Sequence, residues 1–287
     1  MTINKPAPRF SRLPADLERR GDLDGLKGEL FDDVIVPYIA GQERNLQKEI
    51  GPSEVGSPCV RKVGYGLLQV PAKNPIAPPN WKAFVGAGVH KLLEGALDRY
   101  NLGHFDQVGG HERFYVETEL QVGEINGVPL IGHCDVYDRV TATVIDWKTN
   151  GPTLLKHYKA NGPGQTYRSQ IHLYGRGWSR YLGLPVDNVM IVFLPRQGEL
   201  SEAYVWHEPY DEQVALDALG RCDGIWTALG ALGPERGLAA LPAVEDYCGT
   251  CDWFVPGHQG SPLDGCPGQL QEKKPAPALG FEGKPAA

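Results

Sequence analysis

The chain has 287 residues, 41% hydrophobic and 22% charged, a balance that excludes a disordered polymer and fits one large folded core or a core with an appendage. Its formal net charge of −7 gives no support to a globally basic nucleic-acid binder, though a local basic groove can sit on an acidic protein. No apolar run approaches the ~20 residues of a membrane span and the N-terminus lacks a signal-peptide stretch, so a cytoplasmic location is expected, where six cysteines serve as metal ligands or core fillers rather than disulfides.

Residues 1–30 are mixed, with loop character around Pro6 and Pro8. The stretch DDVIVPYIAGQERNLQKEI, 32–50, reads as part helix, interrupted by Pro37 and Gly41. SPCVRKVGYGLLQV, 57–70, joins Cys59 to a basic and apolar segment. The clearest helix spans 76–100: Asn80 is a plausible N-cap after two prolines, and Val85, Val89, Leu92, Leu93 and Leu97 recur at helical spacing. Strands are expected at 113–122, 128–138 and 141–149, with Asn126-Gly127 as a hairpin turn between the first two. A helix from about Gln165 to Leu182, strands at 188–195 and 200–207, and a helix at about 210–231 follow. The tail after Gly268 is rich in Pro, Gly and Ala and reads as mobile. This order suggests an α/β core around a mixed sheet.

The segment TATVIDWKTN, 141–150, ends a β-branched run in Asp146-Trp147-Lys148. Residues two apart on a strand share a face, so Asp146 and Lys148 sit side by side. If the strands at 128–138 and 141–149 pair antiparallel, Asp135 and Asp146 approach across the ladder. Two adjacent carboxylates repel unless a cation lies between them, and Mg²⁺ or Mn²⁺ suits carboxylate oxygens. Lys148 would then hold a nucleophilic water or offset charge developing on a phosphate. The alternative is two exposed acids and a surface Lys–Asp pair.

These residues carry a resemblance. GHCD, then VIDWKT, then QIHLY look like the G-x-x-D, D/E-x-K and Q-x-x-x-Y motifs of RecB-type nucleases in the PD-(D/E)xK superfamily, and GAGVH supplies an upstream G-x-x-x-H with Gly86 and His90. The resemblance implies a restriction-endonuclease-like α/β core with a mixed central sheet flanked by helices. It implies a metal held by His90, Asp135, Asp146 and the backbone carbonyl of Trp147, with Lys148, Gln170 and Tyr174 in catalytic positions. Glu119 resembles an acid often found one strand earlier, although a surface position suits it better, and His133 reads as a bystander on the face of Asp135. The activity implied is a metal-dependent DNA exonuclease of prokaryotic or phage recombination, replication or repair, acting on single strands or free ends, in the host cytoplasm if phage-encoded. A non-catalytic DNA-binding or assembly module that keeps the fold is the rival reading, and the sequence names no protein partner. No G-x-x-x-x-G-K-S/T stretch indicates ATP use.

Cys248 and Cys251 form a C-x-x-C pair, Cys266 follows, and Cys59 precedes the core, a metal-ligand pattern. A branch of the same family, including CRISPR spacer-adaptation exonucleases and AddB-type helicase–nucleases, is similar: one cysteine ahead of the core and three behind it bind a 4Fe–4S cluster. The gap from Cys251 to Cys266 is wider than that branch usually shows, and His258 within it keeps zinc as the alternative. Cys134, pointing away from the face of Asp135, is expected in the core, and Cys222 lies in a helix and gives no functional signal. The resulting division is an N-terminal region (1–75) contributing one cluster cysteine, a nuclease core (76–235), a C-terminal cluster-binding segment (236–268) and a flexible tail (269–287). Arg61, Lys62, Arg168 and Arg176, near these motifs, are candidate contacts to a DNA backbone.

Overall fold

The structure, a computed structural model, describes residues 23–41, 50–74, 81–104, 111–246 and 248–269. The chain divides into two units, 1–46 and 47–287. In the first, helix α1 (Leu23–Gly28) continues through a π-helical stretch (Glu29–Ile35) into α2 (Val36–Ala40). Pro37 does not interrupt the helix as expected. It occupies the first turn of α2, where a missing N–H is tolerated, and the helix stops at Gly41. Asn80, residues 42–49, the proline-containing N-terminus through residue 22 and the tail from 270 lie outside the described residues.

The second unit is built on a five-stranded sheet in the order β1-β2-β3-β4-β5. Its strands are β1 (Phe114–Ile125), β2 (Val128–Asp138), β3 (Thr143–Asn150), β4 (Asn188–Pro195) and β5 (Tyr204–Pro209). All neighbours are antiparallel except β3 and β4, which run parallel. Helices flank it: α3 (Pro52–Val55), α4 (Val60–Leu67), α5 (Trp81–His104), α6 (Pro152–Asn161), α7 (Gly164–Arg176), α8 (Glu212–Leu232) and α9 (Pro234–Ala240). The expected mixed sheet flanked by helices is therefore the architecture of this unit. No helix among the described residues is long and apolar enough to cross a membrane.

Local chemistry accounts for the sheet's shape. Asn126 and Gly127 both have positive φ, 51° and 75°, the pair a tight type I′ hairpin requires. The parallel β3–β4 pair demands a crossover, and α6 and α7 supply it. Helix α6, not anticipated above, starts with Pro152 after the Gly151 N-cap and buries Leu155 and Tyr158. Tyr158 stacks on Phe193 of β4 at 4.5 Å between centroids. Helix α7 buries every residue from Ser169 to Gly175, which makes it the central helix of the core. The strand expected at 200–207 begins only at Tyr204, after a 3₁₀ turn at Leu200–Glu202.

Helix α5 departs from its sequence pattern. Leu92, expected on its apolar stripe, is 78% exposed, and among its residues only Asn101 is buried. Polar and small residues help attach it. Asn101 Oδ1 accepts from the Arg113 and Phe114 N–H groups (3.2 and 3.0 Å), and its Nδ2 donates to Phe114 O (2.7 Å). Near its other end, a Cβ at Gly86 would lie only 3.1 Å from Thr149 Oγ1 of β3. Close approach at a glycine and an asparagine peg thus add to a seam in which Val85, Val89, Leu93 and Leu97 are only half-buried.

Candidate active site

The β2–β3 ladder stops at Val136↔Ile145. One step beyond, Asp135 and Asp146 occupy the opening where the strands cease to pair. Asp135 Oδ2 accepts the Trp147 N–H at 2.7 Å, so the carboxylate does the work of the missing ladder bond. Its Oδ1 lies 3.2 Å from His90 Nδ1, which brings the α5 histidine onto the strand end. Asp146, only 2% exposed, pairs with Lys148 on the same face, Nζ to Oδ2 2.6 Å. The Lys148 ammonium also sits over the Tyr167 ring of α7 at 5.0 Å.

A third acid joins them. Donor atoms of His90, Glu117 and Asp135 lie within 4.8 Å of one another. Glu117 belongs to β1 and has a φ of 45°, a left-handed conformation that costs a non-glycine residue ~1–2 kcal/mol. It falls between the pairs Val116↔Val136 and Thr118↔Cys134, opposite Asp135. Glu119, the acid noted from the sequence, instead meets His133 at 3.4 Å on the open surface. Register decides between them. A two-residue turn pairing Ile125 with Val128 would bring Thr118 opposite Asp135, but a shift between Gln121 and Gly123 moves the ladder by one residue and delivers Glu117. Nothing in the sequence marks that shift except Gly123, where a Cβ would collide with Leu219 of α8.

The motifs interlock physically. A Cβ at Gly132, the glycine of G-x-x-D, would lie 2.5 Å from Pro52 Cγ and 3.0 Å from Tyr174 Cε1. That glycine is what lets Tyr174 reach the sheet. Gln170 Nε2 donates to Tyr174 Oη at 3.3 Å, both side chains are buried, and Gln170 Oε1 has no partner.

Charge is divided unequally. Burial pushes the Asp135 carboxyl up, but the His90 hydrogen bond, the His90 and Lys148 charges and the Trp147 N–H outweigh it and hold its pKa below the usual range. Burial, aided by the Asp135 charge and opposed by Lys148, raises Asp146. Burial lowers His90, yet the Asp135 contact wins and its pKa is raised. Partial burial and the Asp135 charge raise Glu117. Burial and then the Asp146 charge raise Tyr174, which keeps its phenol protonated. A histidine nitrogen and two carboxylates this close, with a third acid adjacent, are a donor set that suits Mg²⁺ or Mn²⁺.

The four flanking cysteines also come together. Cys59, Cys248, Cys251 and Cys266 line one cavity with Lys62, Tyr65 and Asp246. Tyr65 stacks on Trp253 at 5.2 Å and donates to Pro262 O and Gly265 O, which fixes α4 against the C-terminal segment. Gly268 N–H points at Cys266 Sγ (3.4 Å) and Arg61 Nη1 approaches it (3.9 Å). Cys134 is fully buried in the core as expected, its Sγ accepting from Trp178 Nε1 at 3.2 Å, and Cys222 is fully buried as well. The candidate phosphate contacts are engaged internally. Arg61 donates to Leu241 O and Ala239 O, Lys62 pairs with Asp246, Arg168 with Glu208, and Arg176 with Val122 O and Glu212.

No protein-family model and no curated protein matches the chain. Among solved structures, it is similar to a protein titled SSO0001 (16% identity over 69% of this chain and 89% of the other, TM-score 0.42). It is also similar to the alkaline exonuclease LHK-Exo of Laribacter hongkongensis (12%, 64% and 89%, TM-score 0.36) and a phage-related exonuclease of Haemophilus somnus (12%, 64% and 94%, TM-score 0.29). Likeness at this level fixes no activity for this chain.

Proposed function

We propose that the chain is a metal-dependent DNA exonuclease, serving recombination, replication or repair in a prokaryote or its phage. The observation that carries this reading is the convergence of His90, Glu117 and Asp135, with donor atoms within 4.8 Å, beside the Asp146–Lys148 pair at a strand opening. His90, Glu117, Asp135, Asp146 and the Trp147 carbonyl would hold Mg²⁺ or Mn²⁺, which supplies Lewis acidity and a water of lowered pKa. Asp135 orients its neighbours through the His90 and Trp147 contacts. Lys148, tied to Asp146 and seated on Tyr167, places a cation where charge develops on the attacked phosphate. Gln170 and Tyr174 form a buried polar floor, and the unpartnered Gln170 Oε1 is free to accept from Lys148 or a water.

The cysteine cavity belongs to the same proposal as the seat of a 4Fe–4S cluster. What supports this is that all four cysteines line one cavity; four thiolates also suit structural zinc, which is the alternative occupant. Digestion of end-labelled single- and double-stranded DNA with Mn²⁺ tests the activity. Progressive shortening from the ends that EDTA stops is expected, and intact DNA at every metal concentration refutes it.

A further inference from the structure

We infer that the carboxyl ends of β3 and β4, with the first turn of α6, form a phosphate subsite that takes the phosphodiester next to the one cleaved. The inference rests on the nuclease reading and extends it to how the strand is held. Asp146, Lys148 and Asn150 alternate along β3 and share one face. Asn150 is only 4% exposed, yet its Oδ1 has no hydrogen-bond partner. A buried carboxamide left unpaired costs about 1–3 kcal/mol, and a half-turn of the amide presents Nδ2 as a donor. Two residues along a strand span roughly 6.6 Å, about one nucleotide step beyond Lys148.

Two further sources of donors adjoin Asn150 in sequence and in register. Asn150 precedes Gly151, the N-cap of the ten-residue helix α6, which has no side-chain cap. A Cβ at Gly151 would meet no heavy atom within 4 Å, so there is space beside the N-cap, and because Pro152 has no N–H the end's donors begin at Thr153. Free N–H groups and the helix dipole favour an anion at such an end. Arg196 follows Pro195, the register partner of Asn150. Its backbone N–H donates to Asn150 O and its Nη2 to Thr149 O, both at 2.8 Å, which folds the guanidinium over the end of β3. Arg196 Nε is buried without a partner, and no carboxylate pairs with this guanidinium among the described residues. Ligands of α/β sheets bind outside the carboxyl ends of parallel strands, and β3–β4 is this sheet's parallel pair. An amide, a guanidinium with no carboxylate partner among the described residues and a helix end without a side-chain cap would together hold one phosphate.

The test measures binding of a short labelled single-stranded oligonucleotide in Ca²⁺ across a salt series. Arg196→Gln is expected to weaken binding about tenfold at low salt and reduce the slope of log K against log salt by about 0.7, the share of one single-strand phosphate. Arg196→Lys, which keeps the charge, retains the slope and separates charge loss from misfolding. Asn150→Leu weakens binding several-fold at unchanged slope, because it removes a neutral donor. Wild-type affinity and slope in Arg196→Gln overturn the subsite while DNA cleavage by the wild type leaves the nuclease reading intact. Variant-sensitive, salt-dependent binding without cleavage overturns the nuclease reading and keeps the subsite. A wild type that neither binds nor cleaves overturns both.

Discussion

At the residue scale, the motif glycines and charges were legible in the sequence, but one metal-site candidate was not. Gly132 explains its own presence, because Tyr174 and Pro52 pack where a Cβ would be. Gly132→Ala is therefore expected to destabilise the protein by ~1–3 kcal/mol, the usual cost of overpacking, and to reduce cleavage by displacing Tyr174. Urea unfolding alongside a cleavage assay checks both, and an unchanged midpoint with full activity contradicts the packing. Spacing put Asp146 and Lys148 on one strand face and suggested Asp135 across the ladder, but it was the ordered set of family-like motifs that singled these residues out together with His90. Glu117 could not be picked out, since its place opposite Asp135 depends on a one-residue register shift between Gln121 and Gly123. Glu117→Gln is expected to weaken Mn²⁺ binding at least tenfold by calorimetry with little effect on the fold, while Glu119→Gln at the exposed His133 contact leaves binding unchanged. Equal effects of the two would return the choice to Glu119.

At the element scale, what holds the meander is as important as what it carries. Asp138, three residues beyond Asp135, receives two bonds from Arg113 (3.0 and 2.9 Å), one from the Val140 N–H (3.0 Å) and one from Thr141 (2.9 Å). Burial raises its pKa, but the Arg113, Thr141 and Val140 bonds outweigh burial, and the folded value is lowered. A lowered carboxyl pKa contributes stability that is present above the unfolded value near 3.9 and is lost as pH falls through the folded one. Asp138→Asn should therefore cost about 2 kcal/mol at neutral pH, with the gap from wild type closing below about pH 4. Chemical unfolding at both pH values reads this directly, and a gap that persists in acid contradicts it. Strand alternation and the Asn126-Gly127 turn made this meander readable. Helix α6 escaped because its apolar residues are few and its existence follows from a parallel pairing that sequence alone does not show. The α5 stripe is legible in part: Val85, Val89, Leu93 and Leu97 are half-buried, whereas Leu92 is exposed, because periodicity reports an apolar face but not how far packing extends across it.

At the scale of the whole molecule, segments far apart in sequence close around the core. Cys59 near the start of the second unit and Cys248, Cys251 and Cys266 near its end line one cavity, and ligation there would lock α4 to the C-terminal segment. Anaerobically purified protein is expected to be brown, with iron and sulfide in roughly equal amounts, about four of each per chain. Cys59→Ser should lose the metal and lower the melting temperature, while Cys134→Ser and Cys222→Ser keep it; colourless protein with one bound zinc refutes the cluster. The cysteine spacing made this grouping legible, whereas the shared cavity that gathers Cys59 with the C-terminal three exists only in the folded chain. The central claim is that Asp135 and its neighbours hold the metal and Lys148 supplies charge to the reaction. Single-turnover cleavage of end-labelled DNA, with Mn²⁺ binding measured on the same preparations, separates these roles. Lys148→Ala is expected to bind Mn²⁺ as wild type does and cleave at least a hundredfold more slowly, while Asp135→Ala loses both. Wild-type cleavage by a folded Lys148→Ala or Asp135→Ala protein would contradict the assignment.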